Sequence, residues 1–334
     1  MKRIFLKALD GTGTFSLFNP FTRNSAAVFM MHAVIPVHDG RDAPSPDILE
    51  AYFSYLKRHK YHVLTLREYV RALENHQPVH KAVVFTVDDG YRDFYQHAYP
   101  VFKKYGYPAT IFLTSDFIEG KLFLWWNQIE YVILNTAKTT ADLDWMGLGS
   151  LSLRSVDEKT RVIEKITSHC KKIPNALMRQ HVAKLVEQMG VDISDQPKGE
   201  YAPLRWAEIL EMQENGIDFH PHSKTHPILT QIGMEECRVE LQESKECLEL
   251  RLGKEANILC YPDGAAADFD ENVIACAKKT GYCAAVTGMA GYDNTRANTD
   301  LFRIRRLGLP PDPLYFKEYI SGLEALKFRL RRGV

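Results

Sequence analysis

The run Ala82-Val83-Val84-Phe85-Thr86-Val87-Asp88-Asp89-Gly90 decides how the rest of the chain is read. Its first six residues are apolar apart from one threonine. That pattern fits a strand buried on both faces, the kind found in parallel sheets. The strand runs without a break into two carboxylates and a glycine. Beyond them, Phe94, Tyr99, Val101 and Phe102 mark a helix that leads to Gly106, and residues 109–114 form a second buried strand. Strand, helix and strand make a βαβ unit, with the acidic pair at the carboxyl end of its first strand.

The same rhythm extends outward. Residues 26–31 are an apolar run of strand length that ends at His32. A loop rich in Pro, Gly and Asp spans 36–46. Ser45-Pro46 then opens a helix, with Ser as N-cap and Pro at the first helical position. Its apolar stripe is Ile48, Leu49, Tyr52, Phe53 and Leu56. Residues 63–66 form a short strand. Thr65 and Glu68 have capping-box spacing for a helix that turns Leu66, Tyr69, Val70 and Leu73 inward. Residues 120–200 break the rhythm. They read as mostly helical, notably over 155–172 and 175–189, and form an insertion or cap. Alternation returns with a strand at 217–219, a helix at 235–252 and a strand at 257–261. That strand ends at Pro262-Asp263-Gly264. A helix at 269–280 and a strand at 283–287 follow. Such alternation predicts an α/β fold on a parallel sheet, open or closed into a barrel.

Bulk properties narrow the class. Lys plus Arg and Asp plus Glu both number 42, so the net charge is zero, which argues against a nucleic-acid partner. The six cysteines are scattered with no C-x-x-C pair, and they read as buried free thiols of a reducing compartment, with disulfides of a secreted protein as the alternative. Lys7 and Asp10 interrupt the first apolar run, and no stretch approaches the roughly 18 apolar residues of a membrane span. A soluble, cytoplasmic protein is expected. Both ends mix basic and apolar residues: Phe5, Leu6, Phe15, Leu17, Phe18 and Phe21 near the start, and Leu326, Phe328 and Leu330 among Lys327, Arg329, Arg331 and Arg332 near the end. Either they rest on an anionic membrane surface or they dock on the domain with a solvated charged face. The expected organisation is an amphipathic segment over 1–25, a main domain over 26–320 with an insertion at about 120–205, and a basic tail over 321–334.

Four strands end in polar clusters: His32, Asp88-Asp89, His220/His222/His226 and Asp263-Gly264. Parallel α/β folds gather their active sites at the carboxyl ends of strands, so these distant residues are predicted to converge. Two adjacent carboxylates leaving a strand point different ways. One can bind a metal while the other acts as a base; the plain alternative is an Asp-Gly turn. His222 and His226 have the spacing of a metal clamp. Position 223 is Ser rather than Glu, which excludes the H-E-x-x-H class, and Pro221 and Pro227 argue against a continuous helix. Two imidazoles and one carboxylate make a facial three-ligand set with open positions for water and substrate.

Phe85 to Tyr91 resembles the T-F-D-D-G motif of the polysaccharide deacetylase family, also known as the NodB-homology family or carbohydrate esterase family 4. His222-Ser223, followed by His226-Pro227, resembles its H-[ST]-x-x-H motif. Cys260-Tyr261-Pro262-Asp263-Gly264 stands where R-x-P-Y-G is expected. Phe29-Met30-Met31-His32 resembles the M-Y-H segment of a permuted branch that includes poly-N-acetylglucosamine and exopolysaccharide deacetylases. The resemblance covers about residues 26–310. It implies a distorted (β/α) barrel with fewer than eight strands, bordered by the helical insertion. It further implies Asp88 as general base, Asp89, His222 and His226 as metal ligands, His32 as general acid, and the Asp263 backbone N–H as an oxyanion donor. The implied metal is divalent: zinc fits, as do cobalt, nickel and iron.

The chain departs from the family pattern in places. Cys260 replaces the arginine of the third motif and Asp263 its aromatic residue. Arg306, in the run Arg303-Ile304-Arg305-Arg306 expected after the last strand, is the candidate cation to orient Asp88; otherwise that run is a solvated basic edge. His220 is an extra histidine, expected to be structural, and Ser223 is expected to support the histidine loop. Trp125, Trp126 and Trp206 are candidates for stacking on sugar rings or for structural packing. The implied function is N-deacetylation of a GlcNAc-containing glycan or its precursor. Two alternatives stay open: an amidase, deformylase or imidase for a small non-sugar molecule, and a non-catalytic glycan-binding member. An aromatic groove would favour sugar; a small closed pocket would favour the small molecule.

Overall fold

The computed structural model describes residues 2–36, 43–194 and 197–332. Most of the loop expected at 36–46 and the last two residues of the tail lie outside the described residues. The chain opens with α1 (Lys2–Thr12) and a 3₁₀ segment (Thr14–Thr22), then β1 (Asn24–Met31). There follow α2 (Pro46–Arg58), β2 (His62–Leu64), α3 (Leu66–Glu74) and β3 (Val79–Val87). A π-turn (Phe94–Ala98) leads into α4 (Tyr99–Tyr105), β4 (Ala109–Leu113) and the short α5 (Ser115–Ile118). The insertion holds α6 (Trp125–Asn135), the hairpin of β5 (Thr140–Asp142) and β6 (Ser150–Ser152), α7 (Val156–Cys170) and α8 (Asn175–Met189). The barrel resumes with α9 (Trp206–Glu214), β7 (Ile217–Pro221), α10 (Met234–Leu252), β8 (Ile258–Cys260), α11 (Glu271–Lys279), β9 (Ala284–Ala290) and β10 (Ile304–Gly308). α12 (Pro313–Ser321) and α13 (Leu323–Arg332) complete it.

Eight parallel strands share one sheet, and seven follow the path β7-β4-β3-β1-β10-β9-β8. β2 lies off that path because it and β4 use the same edge of β3 in turn. β2 pairs at Ala82, Val83 and Val84, and β4 at Thr86 and Val87. At the carboxyl ends, therefore, the ring has seven members. β7 and β8 stand side by side at the two ends of the path, so the sheet is nearly closed into a barrel ringed by helices. Two histidines of the β7 side bridge that seam. The Ile258 N–H donates to His220 Nδ1 at 3.4 Å, and His222 Nδ1 donates to the Cys260 carbonyl at 2.8 Å.

Side-chain parity explains the layers, since neighbouring residues on a strand face opposite sides. Ala26, Val28, Val84, Phe112, Ile258, Cys260, Val286 and Ile304 fill the barrel together with Leu66, Tyr69 and Leu73 of α3, which plugs its lower end. Phe29, Phe85, Val87, Ile111 and Phe219 face outward against α2, α4, α9 and α12. Each fully buried Leu or Phe contributes about 1.5–3 kcal/mol relative to exposure. The local signals operate as the sequence predicts. Ser45 caps α2, and Thr65 and Glu68 form a capping box at α3.

The insertion has its own core, built from Ile129, Ile133, Val162, Ile166, Val182 and Leu185. Its hairpin was not expected. Each arm has only three residues, too few to show an alternating pattern. At the other end of the molecule, Leu6 and Phe15 pack on Leu314 and Leu323, which docks the first helix against the last two. Among the described residues no helix is long and apolar enough to cross a membrane.

Candidate active site

Asp88 continues the ladder of β3, its N–H donating to the Met31 carbonyl at 2.9 Å. It therefore keeps the inward parity of Thr86 and points into the barrel. Asp89 does not follow. Its φ is 71°, in the left-handed region, and the turn closes with the Gly90 N–H on the Asp88 carbonyl at 2.9 Å. Position 90 favours glycine. A Cβ there would stand 2.7 Å from Leu113 Cδ2 and 2.8 Å from Ile118 Cδ1, and φ is 94°. The two carboxylates thus part company within one residue.

Asp88 meets Arg306, which rises from inside β10. The guanidinium is bidentate, with Nη1 donating to Oδ1 at 2.6 Å and Nη2 to Oδ2 at 2.8 Å. Its other donors reach the Thr287 carbonyl at 2.8 Å, Thr86 Oγ1 at 3.1 Å and Cys260 Sγ at 3.2 Å. All five N–H groups are satisfied, as a buried guanidinium requires. Burial alone would raise the Asp88 pKa, but the charge and bonds of Arg306 outweigh it and hold the carboxyl well below the usual range. The third motif's missing arginine is thus matched by one from another strand, with Cys260 as its neighbour.

Asp89 faces the opposite environment. Its Oδ1 lies 3.6 Å from His222 Nε2 and 3.5 Å from His226 Nε2, and the two Nε2 atoms are 3.2 Å apart. Asp89 Oδ1 has no hydrogen-bond partner among the described residues. Burial, then the nearby Asp88 and Asp263, push its pKa well up. Burial lowers the pKa of His222 to about 4 and that of His226 to about 3, so both imidazoles are neutral near pH 7. The His222 Nδ1 proton is committed to the Cys260 carbonyl, which leaves a lone pair on Nε2. Three ligand atoms at about 2.0–2.2 Å from a tetrahedral ion stand roughly 3.3–3.6 Å apart. The triangle seen here has those dimensions and an orphaned buried oxygen, so these residues fit a divalent cation.

The histidine loop is built to hold that shape. The buried Glu240 accepts from the N–H groups of Lys224 and Thr225 and from Thr225 Oγ1, at 2.6–2.9 Å. Ser223 Oγ accepts from the His226 N–H at 3.0 Å. Ser223 and His226 both have positive φ, which the clamp sustains.

His32 stands at the end of β1 with Nε2 3.8 Å from Asp88 Oδ2. The surrounding protein lowers its pKa against the pull of Asp88. The ring is 53% open to the cleft, so water there blunts that lowering. Asp263 follows β8 with φ 57°, and its carboxylate pairs with Lys171 of the insertion. His32, Asp88, Asp89, His222, His226 and Asp263 all line one cleft of about 1110 Å³. Arg306 lies beneath it, under Asp88. A second cavity of about 710 Å³, between α10 and α11, lies away from all of them.

The remaining candidates separate. Trp126 lines the cleft, with its ring against His226 and its N–H on the Tyr91 hydroxyl at 3.0 Å. Trp125 packs on Trp126. Trp206 bonds Glu119 at 2.8 Å under Arg251, which is a structural contact. His220 is buried in the seam with Asp218 and Arg67, as a structural histidine. Sequence reasoning missed Lys171, Glu240 and Tyr91. Tyr91 follows the acidic pair directly, whereas nothing local marks the other two.

An α/β barrel with carboxylates and imidazoles gathered over the carboxyl ends of its strands has the layout of a barrel enzyme. Residues 75–285 match the family described as Polysaccharide deacetylase, and the chain belongs to that family. A relative named as a putative polysaccharide deacetylase, YxkH of Bacillus subtilis (strain 168), is 25% identical over 243 residues. The match covers 72% of this chain and 57% of the relative, so this chain spans little more than half of that protein's length. Among solved structures, the Streptococcus pyogenes deacetylase PplD in complex with acetate matches with TM-score 0.59 and 20% identity, over 91% of this chain and 98% of its own. IcaB from Ammonifex degensii matches with TM-score 0.56 and 16% identity, over 89% and 97%. At such identities the likeness carries the fold.

Proposed function

We propose that this protein is a divalent-metal-dependent hydrolase that removes N-acetyl groups from a GlcNAc-containing glycan or its precursor. The observation that carries this reading is the open Asp89–His222–His226 triangle beside an Asp88 locked by Arg306. Asp89, His222 and His226 would hold the cation, most simply zinc, which polarises an acyl carbonyl and lowers the pKa of water from about 15.7 towards 7. Asp88 takes the proton of the attacking water. Arg306 keeps it ionised and aimed, at the expense of basicity. His32 gives a proton to the amide nitrogen as the C–N bond breaks. The Asp263 N–H donates to the oxyanion.

The cleft supports a sugar over a small amide. It exceeds the roughly 300–1000 Å³ of ordinary small-molecule pockets, and Tyr91, Trp126 and Tyr201 line it. The test is metal analysis of the purified protein, followed by acetate release from GlcNAc monomer, oligomers, polymer and lipid-linked sugar. A metal-loaded protein that spares all of these yet cleaves formamides or cyclic imides would replace the sugar reading.

The termini carry a smaller part of the same reading. Ile4, Phe5, Leu17 and Leu330 are exposed in terminal segments that also carry Lys2, Arg3, Lys7 and Arg329, and these segments would rest on an anionic bilayer. Co-sedimentation with anionic but not neutral vesicles is expected. Self-association without vesicle binding would assign these exposed residues to a second copy instead.

A further inference from the structure

Two carboxylate–cation pairs flank Asp89. One is Asp88 with Arg306, enclosed in the barrel. The other is Asp263 with Lys171, reaching across the cleft from the end of α7, where the lysine side chain is 45% exposed. Asp263 and Lys171 line the same cleft as Asp89, His222, His226 and His32. Without its partner, Asp263 would add an uncompensated carboxylate beside the triangle. More anionic ligand charge tightens cation binding. A further oxygen ligand also fills a position that catalytic metal sites keep open.

The backbone at Asp263 does not depend on Lys171. Gly264 and Gly288 let the loop lie directly on β9: a Cβ at Gly288 would stand 2.6 Å from the Asp263 carbonyl, and the Gly288 N–H donates to the Gly264 carbonyl at 2.9 Å. What the lysine fixes is the carboxylate. Lys171 is itself held in place, since Gln231 Nε2 donates to its carbonyl at 2.7 Å. Gln231 lies just beyond the histidine loop, so the lysine is registered to the triangle it faces.

We propose that Lys171 is a positioning residue that holds the Asp263 carboxylate off the Asp89–His222–His226 triangle and so keeps that triangle at three protein ligands. This rests on the reading of the triangle as a cation site. It also accounts for the pairing of a third-motif aspartate with a lysine from the insertion.

The experiment uses the full chain as Lys171→Met, Lys171→Arg and the double variant Lys171→Met/Asp263→Asn. Asn suits the left-handed φ of position 263. Zn²⁺ affinity is read by competition with a chromophoric chelator, and kcat and KM by acetate release. Lys171→Met should bind Zn²⁺ about tenfold more tightly and lose about tenfold in kcat, with KM nearly unchanged. Lys171→Arg should stay near wild type, and the double variant should return both values towards it. Unchanged or weaker Zn²⁺ binding in Lys171→Met, or a double variant that still behaves as Lys171→Met, overturns the assignment. The chelator measurement needs no substrate, so wild-type protein that fails to bind Zn²⁺ would overturn the underlying cation reading separately.

Discussion

Asp88 and Asp89 are neighbours in sequence and opposites in surroundings. On the Asp88 side, every donor of Arg306 is used and both carboxylate oxygens are bonded. On the Asp89 side, one carboxylate oxygen and His226 Nδ1 have no partner among the described residues, and three ligand atoms crowd within 3.6 Å of one another. The first half is finished by the fold. The second is left with unpartnered polar atoms, and its three ligand atoms are spaced to fit a cation. The difference teaches where this protein keeps its binding energy in reserve: buried polar atoms without partners are costly, and a ligand that satisfies them recovers that cost.

Substituting each aspartate in turn should break this contrast most sharply. Asp89→Asn is expected to lose Zn²⁺ affinity by more than about 100-fold, and activity with it, as chelator treatment of the wild type should. Asp88→Asn should keep the metal and lose turnover by about 10²–10⁴-fold. Metal content and acetate release, measured on the same preparations, separate the two. Equal metal loss in both variants would erase the division of labour.

Stability tests the finished half. Arg306→Met leaves Asp88 buried without its partner, and removing one member of a buried pair costs about 3–5 kcal/mol. Adding Asp88→Asn should recover a large part of that. Urea midpoints decide it. A single variant as stable as wild type would mean that Asp88 does not depend on Arg306 for its charge.

Part of this contrast was legible in the sequence. The buried run ahead of Asp88 and the His222/His226 spacing point to the strand ends and to the triangle. Arg306 was the candidate partner of Asp88 among three nearby arginines, but nothing local gave the physical reason for choosing it. Strand parity distinguishes them: Ile304 and Arg306 face inward, whereas Arg303 and Arg305 pair with Glu271 and Asp293 outside. The seam was not legible, because a histidine standing in for a ladder bond leaves no periodic trace. Nor was Lys171, whose position depends on how an insertion with its own core docks against the barrel.

Burial would raise the Asp218 pKa, but bonds from His220 at 3.2 Å and Lys254 at 3.0 Å hold it well below the usual range. His220 itself stays neutral because burial lowers its pKa, so it serves as hydrogen-bond donor and not as counter-charge. A carboxyl with a depressed folded pKa contributes stability that is complete above its unfolded value of about 3.9 and is lost as pH falls below it. Asp218→Asn should therefore cost about 1–3 kcal/mol at pH 7 and progressively less below pH 4. Urea titrations at pH 7 and 3.5 test this; a gap that stays constant would show that Asp218 is not held ionised.

The smallest effect lies within the open half, where the two histidines are held differently. His222 is tied by its Nδ1 bond to the Cys260 carbonyl. His226 has no such tie, and the edge of Trp126 packs against it with ring centroids 4.6 Å apart at 64°. An aromatic contact of this kind is worth about 0.5–1.5 kcal/mol, or roughly 2–12-fold in an equilibrium. Trp126→Ala should weaken Zn²⁺ binding by about that factor. Trp126→Phe keeps a ring there and loses only the bond to Tyr91, so it should weaken binding less. The ordering of the two variants decides the point. If phenylalanine weakens the metal as much as alanine does, the Tyr91 bond and not the ring positions His226, and the two histidines are then both held by hydrogen bonds, one direct and one relayed.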